Sequence, residues 1–146
     1  MEVIKGSKVG KPFIILNLEC MSTAKPYKIN YTICDKFGNV FVKRSFALSS
    51  YIWKNLQNGF DEQKITYKNI QKIFQDYKKP LGDRKYHYKT IEEAKKQILK
   101  DITNFRVKEI WTDNCTFNKN SLSKLFADDF YILDNLVKFY DINMTE

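Results

Sequence analysis

The chain has 146 residues, 43% of them hydrophobic and 15% aromatic, so it is long enough for one domain with a single core and too apolar for a disordered protein. No apolar run approaches the length of a membrane-spanning helix and no signal peptide is recognisable, so we expect a cytoplasmic protein that does not contact a membrane. The net charge of +8 is concentrated in residues 1–90, which carry 17 Lys and Arg against 7 Asp and Glu, and this imbalance favours an acidic partner such as nucleic acid or an acidic protein.

The first part of the chain is typical of three strands joined by short links. Residues 13–16 are an apolar run that opens a first strand over residues 13–18, and residues 29–34 alternate apolar and polar side chains as a half-buried strand does. Residues 35–39 contain a glycine and predict a turn, after which Val40–Leu48 runs back. We therefore expect an antiparallel meander, preceded by a loosely ordered lead-in over residues 1–11.

Helical patterns follow in the middle of the chain. A serine at position 49 or 50 is placed to cap a short helix that ends at Gly59, and apolar side chains at 70, 73, 74 and 77 share one helical face. Thr90 and Glu93 have the spacing of a capping box, in which each side chain bonds the backbone N–H of the other residue. An apolar stripe then predicts a long helix reaching Phe105.

The last third alternates between predicted strands and helices. Residues 107–111 read as a strand, the segment around Leu122 as a helix, residues 130–133 as a last strand and residues 136–140 as a terminal helical turn. The expected fold is a single α/β domain over residues 1–146. Its mixed sheet contains the three-strand antiparallel meander plus two further strands, with flanking helices.

The three cysteines are widely spaced and lack a Cys-x-x-Cys pair, which favours reduced thiols. His87 is the only histidine, so a multi-histidine zinc site is excluded.

Three short motifs, ordered along the chain, carry a resemblance to a known family. The first strand ends in Asn17-Leu18-Glu19, the 107–111 strand leads into a segment ending in Phe117-Asn118 that opens a helix, and the last predicted strand ends in Asp134. Over about residues 12–140 the chain thus resembles the DnaQ-like (DEDD) 3′–5′ exonucleases of the ribonuclease H-like superfamily. The resemblance implies a ribonuclease H-like sheet.

The resemblance also implies a metal site, because these exonucleases hold two divalent ions with four carboxylates. Asn17 and Asn118 stand where the family has Asp, the family's C-terminal motif has no counterpart, and Glu19 is the one candidate metal ligand that matches. We therefore expect a degenerate, C-terminally shortened domain that is not an enzyme and needs no cofactor. Its vestigial site would consist of Asn17, Glu19, Asn118 and Asp134.

Two alternatives to this interpretation stay open. Asn17 and Glu19 would serve equally well as a strand-end pair that bonds a loop, and Asn118 as a helix N-cap. Alternatively, Asp113 and Asp134 would act as substitute ligands, and Mg²⁺ or Mn²⁺ would then support residual nuclease activity.

A predicted loop interleaves cations with aromatic residues, which is the composition of surfaces that bind single strands or acidic proteins. Its candidate binding residues are Lys78, Lys79, Arg84, Lys85, Tyr86, His87 and Tyr88. Lys43 and Arg44 add basic surface near the first strands.

Three functions are consistent with these patterns. The first is a non-catalytic binding protein, of the phage- or virus-encoded kind that inhibits or regulates a protein or nucleoprotein machine in the host cytoplasm. The second is a module that binds single-stranded nucleic acid without cleaving it, and the third is an active exonuclease with substitute ligands. A fold that lacks its last helix would also leave an apolar face suited to a homodimer.

Overall fold

A computed structural model describes residues 8–20, 24–49 and 68–144, and these residues form an α/β structure around a mixed sheet. Its strands are β1 (Phe13–Cys20), β2 (Pro26–Cys34), β3 (Val40–Leu48), β4 (Tyr88–Lys89), β5 (Glu109–Thr112) and β6 (Lys138–Asp141). Its helices are α1 (Lys68–Tyr77), α2 (Ile91–Phe105), α3 (Cys115–Phe126) and α4 (Phe130–Leu136), with short 3₁₀ turns at Leu81–Asp83, Ala127–Asp129 and Ile142–Met144.

The predicted antiparallel meander is confirmed. Leu16 of β1 lies opposite Tyr31 of β2, and Tyr31 lies opposite Arg44 of β3. Gly38 in the connecting turn has φ +86°, a conformation that side chains with a Cβ rarely adopt. The period-2 pattern and the glycine turn therefore specify this part of the sheet.

The remaining strands extend the sheet on both sides, giving the order β4-β3-β2-β1-β5-β6. β5 pairs parallel with β1, β6 pairs parallel with β5, and the two-residue β4 pairs parallel with the end of β3. Three strands are therefore added to the meander instead of the two expected, because β4 is too short to leave a pattern in the sequence.

Helices α2, α3 and α4 cover one face of the sheet, where the core lies. Ile14 and Leu16 of β1 are buried there, whereas Ile15 on the other face is 41% exposed. Helix α2 begins with the predicted capping box: Thr90 Oγ1 accepts from the Glu93 N–H at 3.1 Å, and the Glu93 carboxylate accepts from the Thr90 N–H at 2.9 Å. The apolar stripe of α2 joins Leu122 of α3 and Leu133 of α4 in this core.

Two assignments near the C-terminal end are wrong. The segment 130–133, expected as a strand, lies in the helix Phe130–Leu136, and the segment 136–140, expected as a helical turn, leads into the strand Lys138–Asp141. A short apolar run bounded by turns fits either a strand or a buried helix, so the pattern alone did not decide between them. The last strand of the sheet therefore ends at Asp141, not near Asp134.

The described part of the lead-in, from residue 8 onwards, is hydrogen-bonded to the turn between β2 and β3. The Gly10 N–H donates to the Asp35 carboxylate at 2.8 Å, and the Lys8 carbonyl accepts from Asn39 Nδ2 at 2.7 Å. Residues 1–7, and the helix expected after Ser49 up to Gly59, lie outside the described residues. As expected, Cys20, Cys34 and Cys115 are free thiols.

Candidate partner-binding groove

The polar residues at the end of β1 lie on the face of the sheet opposite helices α2, α3 and α4. Asn17 is exposed and pairs in register with Asn30, and Glu19 pairs with Lys28. Glu19 Oε2 lies 3.5 Å from Lys28 Nζ, so a lysine supplies the cation that this carboxylate needs. Asn17 and Glu19 thus share a face, as the period of the strand predicts.

Asn118 lies on the other side of the sheet. It is a buried residue within α3, not the N-cap, which is Asn114. Its Nδ2 donates to Thr112 Oγ1 at 2.7 Å and to the Asp113 carbonyl at 2.6 Å. Thr112 Oγ1 donates in turn to the Leu16 carbonyl at 2.9 Å. Asn118 therefore links α3 to the end of β5 and, through Thr112, to β1, and its amide is not turned towards Asn17 and Glu19.

Asp134 is an exposed residue of α4 whose carboxylate lies 3.4 Å from Lys119 Nζ. The aspartate that ends a strand is Asp141, which accepts from the Cys115 N–H at 3.1 Å. Asn143, two residues after the end of β6, reaches the end of β5, because its side chain donates to the Asp113 carboxylate. Across residues 8–20, 24–49 and 68–144, no three His, Cys, Asp or Glu side chains are close enough together to hold a metal ion.

Six of the nine predicted basic and aromatic residues come together in one groove of about 510 Å³ at the β3–β4 edge of the sheet. It forms because β4 runs beside the end of β3, where the Ala47 N–H donates to the His87 carbonyl at 2.8 Å. This pairing brings the predicted basic and aromatic segment, residues 77–89 (the 77–89 loop), against residues 43–46, which are distant from it in sequence. The predicted residues that line the groove are Lys43, Arg44, Arg84, Tyr86, His87 and Tyr88.

One wall of the groove is built on Asp76, a buried residue of α1. Its carboxylate accepts from the Lys85 N–H at 2.8 Å, the Tyr86 N–H at 3.1 Å and the Tyr88 hydroxyl at 2.7 Å. Burial alone would raise the pKa of Asp76, but these hydrogen bonds outweigh it and hold the pKa below its ordinary value. The carboxylate therefore stays charged and fixes the loop backbone.

Arg84 braces the same wall. Its guanidinium carbon lies 4.6 Å from the ring centroid of Tyr77 and 5.5 Å from that of Tyr88. It also donates to the Tyr77 carbonyl at 3.0 Å and to the Lys79 carbonyl at 3.2 Å. These contacts hold the loop in a fixed shape rather than leaving it as a solvated connector.

The opposite wall is set by Asp101, which is 1% exposed and lies beneath Arg44. The carboxylate accepts from Arg44 Nε at 2.9 Å and Arg44 Nη2 at 3.0 Å, from the Tyr31 hydroxyl at 2.6 Å and from Gln97 at 3.1 Å. Burial would raise the pKa of Asp101, but the bonds from Arg44, Tyr31 and Gln97 lower it overall. Arg44 is thus held rigidly, with its side chain still 38% exposed.

The lining of the groove is strongly cationic. Lys43, Arg44, Arg84 and Lys89 contribute to it, and no carboxylate is among its lining residues in the described part of the chain. Lys78, Lys79 and Lys85 lie outside the lining, where all three are exposed. The groove therefore presents positive charge to any ligand that enters it.

Its aromatic rings already have cations over them. Lys28 Nζ lies 4.9 Å and Lys85 Nζ 5.8 Å from the centroid of Tyr86, while Tyr88 faces Arg84. His87 is the exposed ring. The positions where a base would stack are thus largely taken by the protein's own side chains.

Four residues that line or support the groove were not among the predicted binding residues: Asp76, Lys89, Gln97 and Asp101. The two aspartates left a pattern that was detectable. Asp76 follows the buried Ile73 by three residues, and Asp101 follows the buried Ile98 by three residues, so each lies on the buried face of its helix. A charged residue on such a face needs buried partners.

None of the described helices is both long enough and apolar enough to cross a membrane. Comparisons with protein-family models, with curated proteins and with solved structures find no match for this chain.

Proposed function

We propose that this chain is a non-catalytic protein on a ribonuclease H-like, exonuclease-type scaffold, and that it acts by binding an acidic protein partner in the β3–β4 groove. The scaffold part of the proposal is supported by the sheet, in which a three-strand meander continues into two strands parallel to its first strand. A mixed sheet of this general kind is compatible with the scaffold that the sequence resemblance implies.

The observation that carries the binding function is the cationic lining of the groove. Four cations converge on one concave surface, and two of them are held in place: Arg44 by Asp101 and Arg84 by Tyr77 and Tyr88. Holding cations in position reduces the entropy lost when a ligand binds. Complementary charge then speeds association and selects the partner.

The residues at the expected metal site support a role without catalysis. Asn17 and Asn118 carry no charge to hold a divalent ion, the Asn118 amide is bonded to Thr112, and Glu19 is paired with Lys28. One observation favours the second candidate, a metal-dependent exonuclease: Asp113 and Asp141 lie at the ends of neighbouring parallel strands. The two candidates predict opposite results in a nuclease assay.

An acidic protein is favoured over single-stranded nucleic acid as the partner. Proteins that bind single strands combine cations with free aromatic faces for base stacking. Here the rings of Tyr86 and Tyr88 are already faced by lysine and arginine. The groove thus offers strong positive charge with few free stacking faces, because His87 alone of these three rings is exposed.

The test measures cleavage and binding on the same protein samples. With Mg²⁺ or Mn²⁺ we expect labelled single- and double-stranded DNA and RNA to stay intact. Digestion that disappears in Glu19→Gln would show that the chain is an enzyme.

Binding is measured with two labelled polyanions, poly-L-glutamate and oligo(dT). We expect poly-L-glutamate to bind at low salt and to lose about tenfold or more in affinity in Lys89→Glu, because a like charge replaces an attraction. Lys138→Glu, at the opposite edge of the sheet, is the matched control and should bind normally. Equal loss in both variants would mean that the groove is not the binding site.

A further inference from the structure

The outer edge of β3 is largely uncovered. β4 has two residues and pairs only with Ala47 and Leu48, so the preceding residues of β3 have no neighbouring strand on that side within the described residues. Lys43 and Ser45 are both exposed and both line the groove. The groove therefore runs along an open strand edge.

The backbone direction at this edge follows from one hydrogen bond. The Ala47 N–H points away from β2, since it donates to the His87 carbonyl of the 77–89 loop. Backbone groups alternate direction along a strand, and β3 pairs with β2 without a register shift from Lys43 to Ala47. The N–H and C=O groups of Ser45 and Lys43 therefore also point outward, into the groove.

We propose that the groove binds an extended acidic peptide segment as an added strand, paired with the backbone of Lys43 and Ser45. The inference rests on the proposed function and specifies how the partner is recognised. Main-chain bonds to an open edge supply affinity in this mode, and side-chain contacts supply specificity. The added strand would continue the edge that β4 begins.

The side chains around the edge set the chemistry of the peptide. Residues along an added strand point alternately to the two faces of the sheet. On the helix face they meet Arg44, whose guanidinium has N–H groups left beyond the two bonded to Asp101. On the other face they meet Lys43, with Lys89 at the end of the groove. Glu or Asp side chains on both faces therefore complement the site.

The test uses a labelled decapeptide in which Glu-Glu pairs alternate with Thr-Thr pairs, so that an added strand carries Glu on both faces, and the variant Ser45→Pro. Proline removes the outward N–H at position 45 and is tolerated on an edge strand when that N–H is not part of the sheet ladder. Ser45→Ala is the matched control, because it removes the hydroxyl bonded to Asn30 and keeps the N–H. We expect Ser45→Pro to weaken binding by about tenfold, since a lost backbone bond leaves a buried acceptor unpaired. Ser45→Ala, which lacks the same hydroxyl, should bind about tenfold more tightly than Ser45→Pro.

A second measurement uses the wild-type protein, so it holds even where Ser45→Pro fails to fold. The same peptide N-methylated at four consecutive central residues keeps its charge and loses the donors that an added strand needs, and it should not bind. A peptide N-methylated only at its two end residues should bind.

The remaining outcomes distinguish a failure of the strand-addition inference from a failure of the proposed function. If both methylated peptides bind alike, strand addition is overturned and the proposed function stands. If the decapeptide and poly-L-glutamate both fail to bind, the strand-addition inference and the proposed function fall together. If oligo(dT) displaces the peptide from the groove at lower concentration, the partner is a nucleic acid and the peptide inference is overturned.

Discussion

Asp35, Asp76 and Asp101 are buried carboxylates, and each is surrounded by hydrogen-bond donors. Two of them lie beneath the groove, where they hold a loop and an arginine that present positive charge outward. A buried charge is costly unless it is paired and hydrogen-bonded. The folded protein therefore tolerates each of these carboxylates only because its hydrogen-bond donors are present. The cations of the groove are therefore positioned by anions underneath.

The third carboxylate, Asp35, ties the β2–β3 turn to the lead-in. It accepts from the backbone of Gly10 at 2.8 Å and of Phe37 at 2.9 Å, and from the backbone and side chain of Asn39 at 3.0 and 2.9 Å. Burial would raise its pKa, but these bonds lower the pKa from 3.8 to about 2. Its ionised form is therefore favoured by folding.

This shift gives a pH-dependent prediction. A folded-state pKa below the unfolded value adds stability that is fully present above about pH 4 and is lost as the pH falls towards about 2. In urea unfolding, Asp35→Asn should be less stable than the wild type at pH 7, and the difference should shrink steadily between pH 4 and pH 2. Asp128→Asn, an exposed control, should follow the wild type throughout. A constant difference at every pH would show that the loss is not due to ionisation of Asp35.

At the scale of helices and strands, the sequence pattern correctly predicted the elements that have a regular period or a clear capping signal. The meander followed from alternation and a glycine turn, and α2 followed from Thr90 and Glu93 at its first turn. β4 was missed because a strand of two residues is too short to show an alternation of apolar and polar side chains. The groove was predicted only in part. Both basic stretches were identified, but no local sequence pattern indicated that the Ala47–His87 hydrogen bond would bring them together.

The segment after Ala127 was mistaken for a strand because it is aromatic and β-branched. Tertiary packing overrides that preference, since Leu133 is fully buried in the core while Tyr131, two residues earlier, is 64% exposed. In a strand these two side chains would share a face, and in a helix they do not.

Paired substitutions test the helix Phe130–Leu136 directly. Leu133→Ala should lower the free energy of unfolding by about 2–5 kcal/mol, because it removes buried methyl groups and leaves a cavity. Tyr131→Ala should change the same quantity by about 0.5 kcal/mol or less, as exposed positions do. Chemical denaturation of both variants gives the values. Comparable losses at the two positions would favour the strand.

At the scale of the whole molecule, the cationic groove and a mostly apolar concavity lie at different places on the sheet. The groove cations come from residues 43–89 at one edge of the sheet. Towards the opposite edge lies a second concavity of about 780 Å³. Most of its lining is apolar and includes Phe13, Ile15, Phe37 and Trp111, and the charged residues Lys11, Lys36 and Glu109 also line it. Self-association through an apolar face, expected from the sequence, would use this side and would leave the groove open.

The open edge of β3 has a further consequence for the behaviour of the protein in concentrated solution. An unpaired strand edge is a template on which identical chains stack, and natural proteins protect such edges with lysines. Lys43 and Arg44 then also act as a guard against aggregation, because two copies meeting edge to edge would bring like charges together. In sedimentation velocity, Lys43→Thr should form larger species at high protein concentration than Lys138→Thr does. The protein would then depend on one row of positive charge both to recruit its partner and to remain dispersed until that partner arrives.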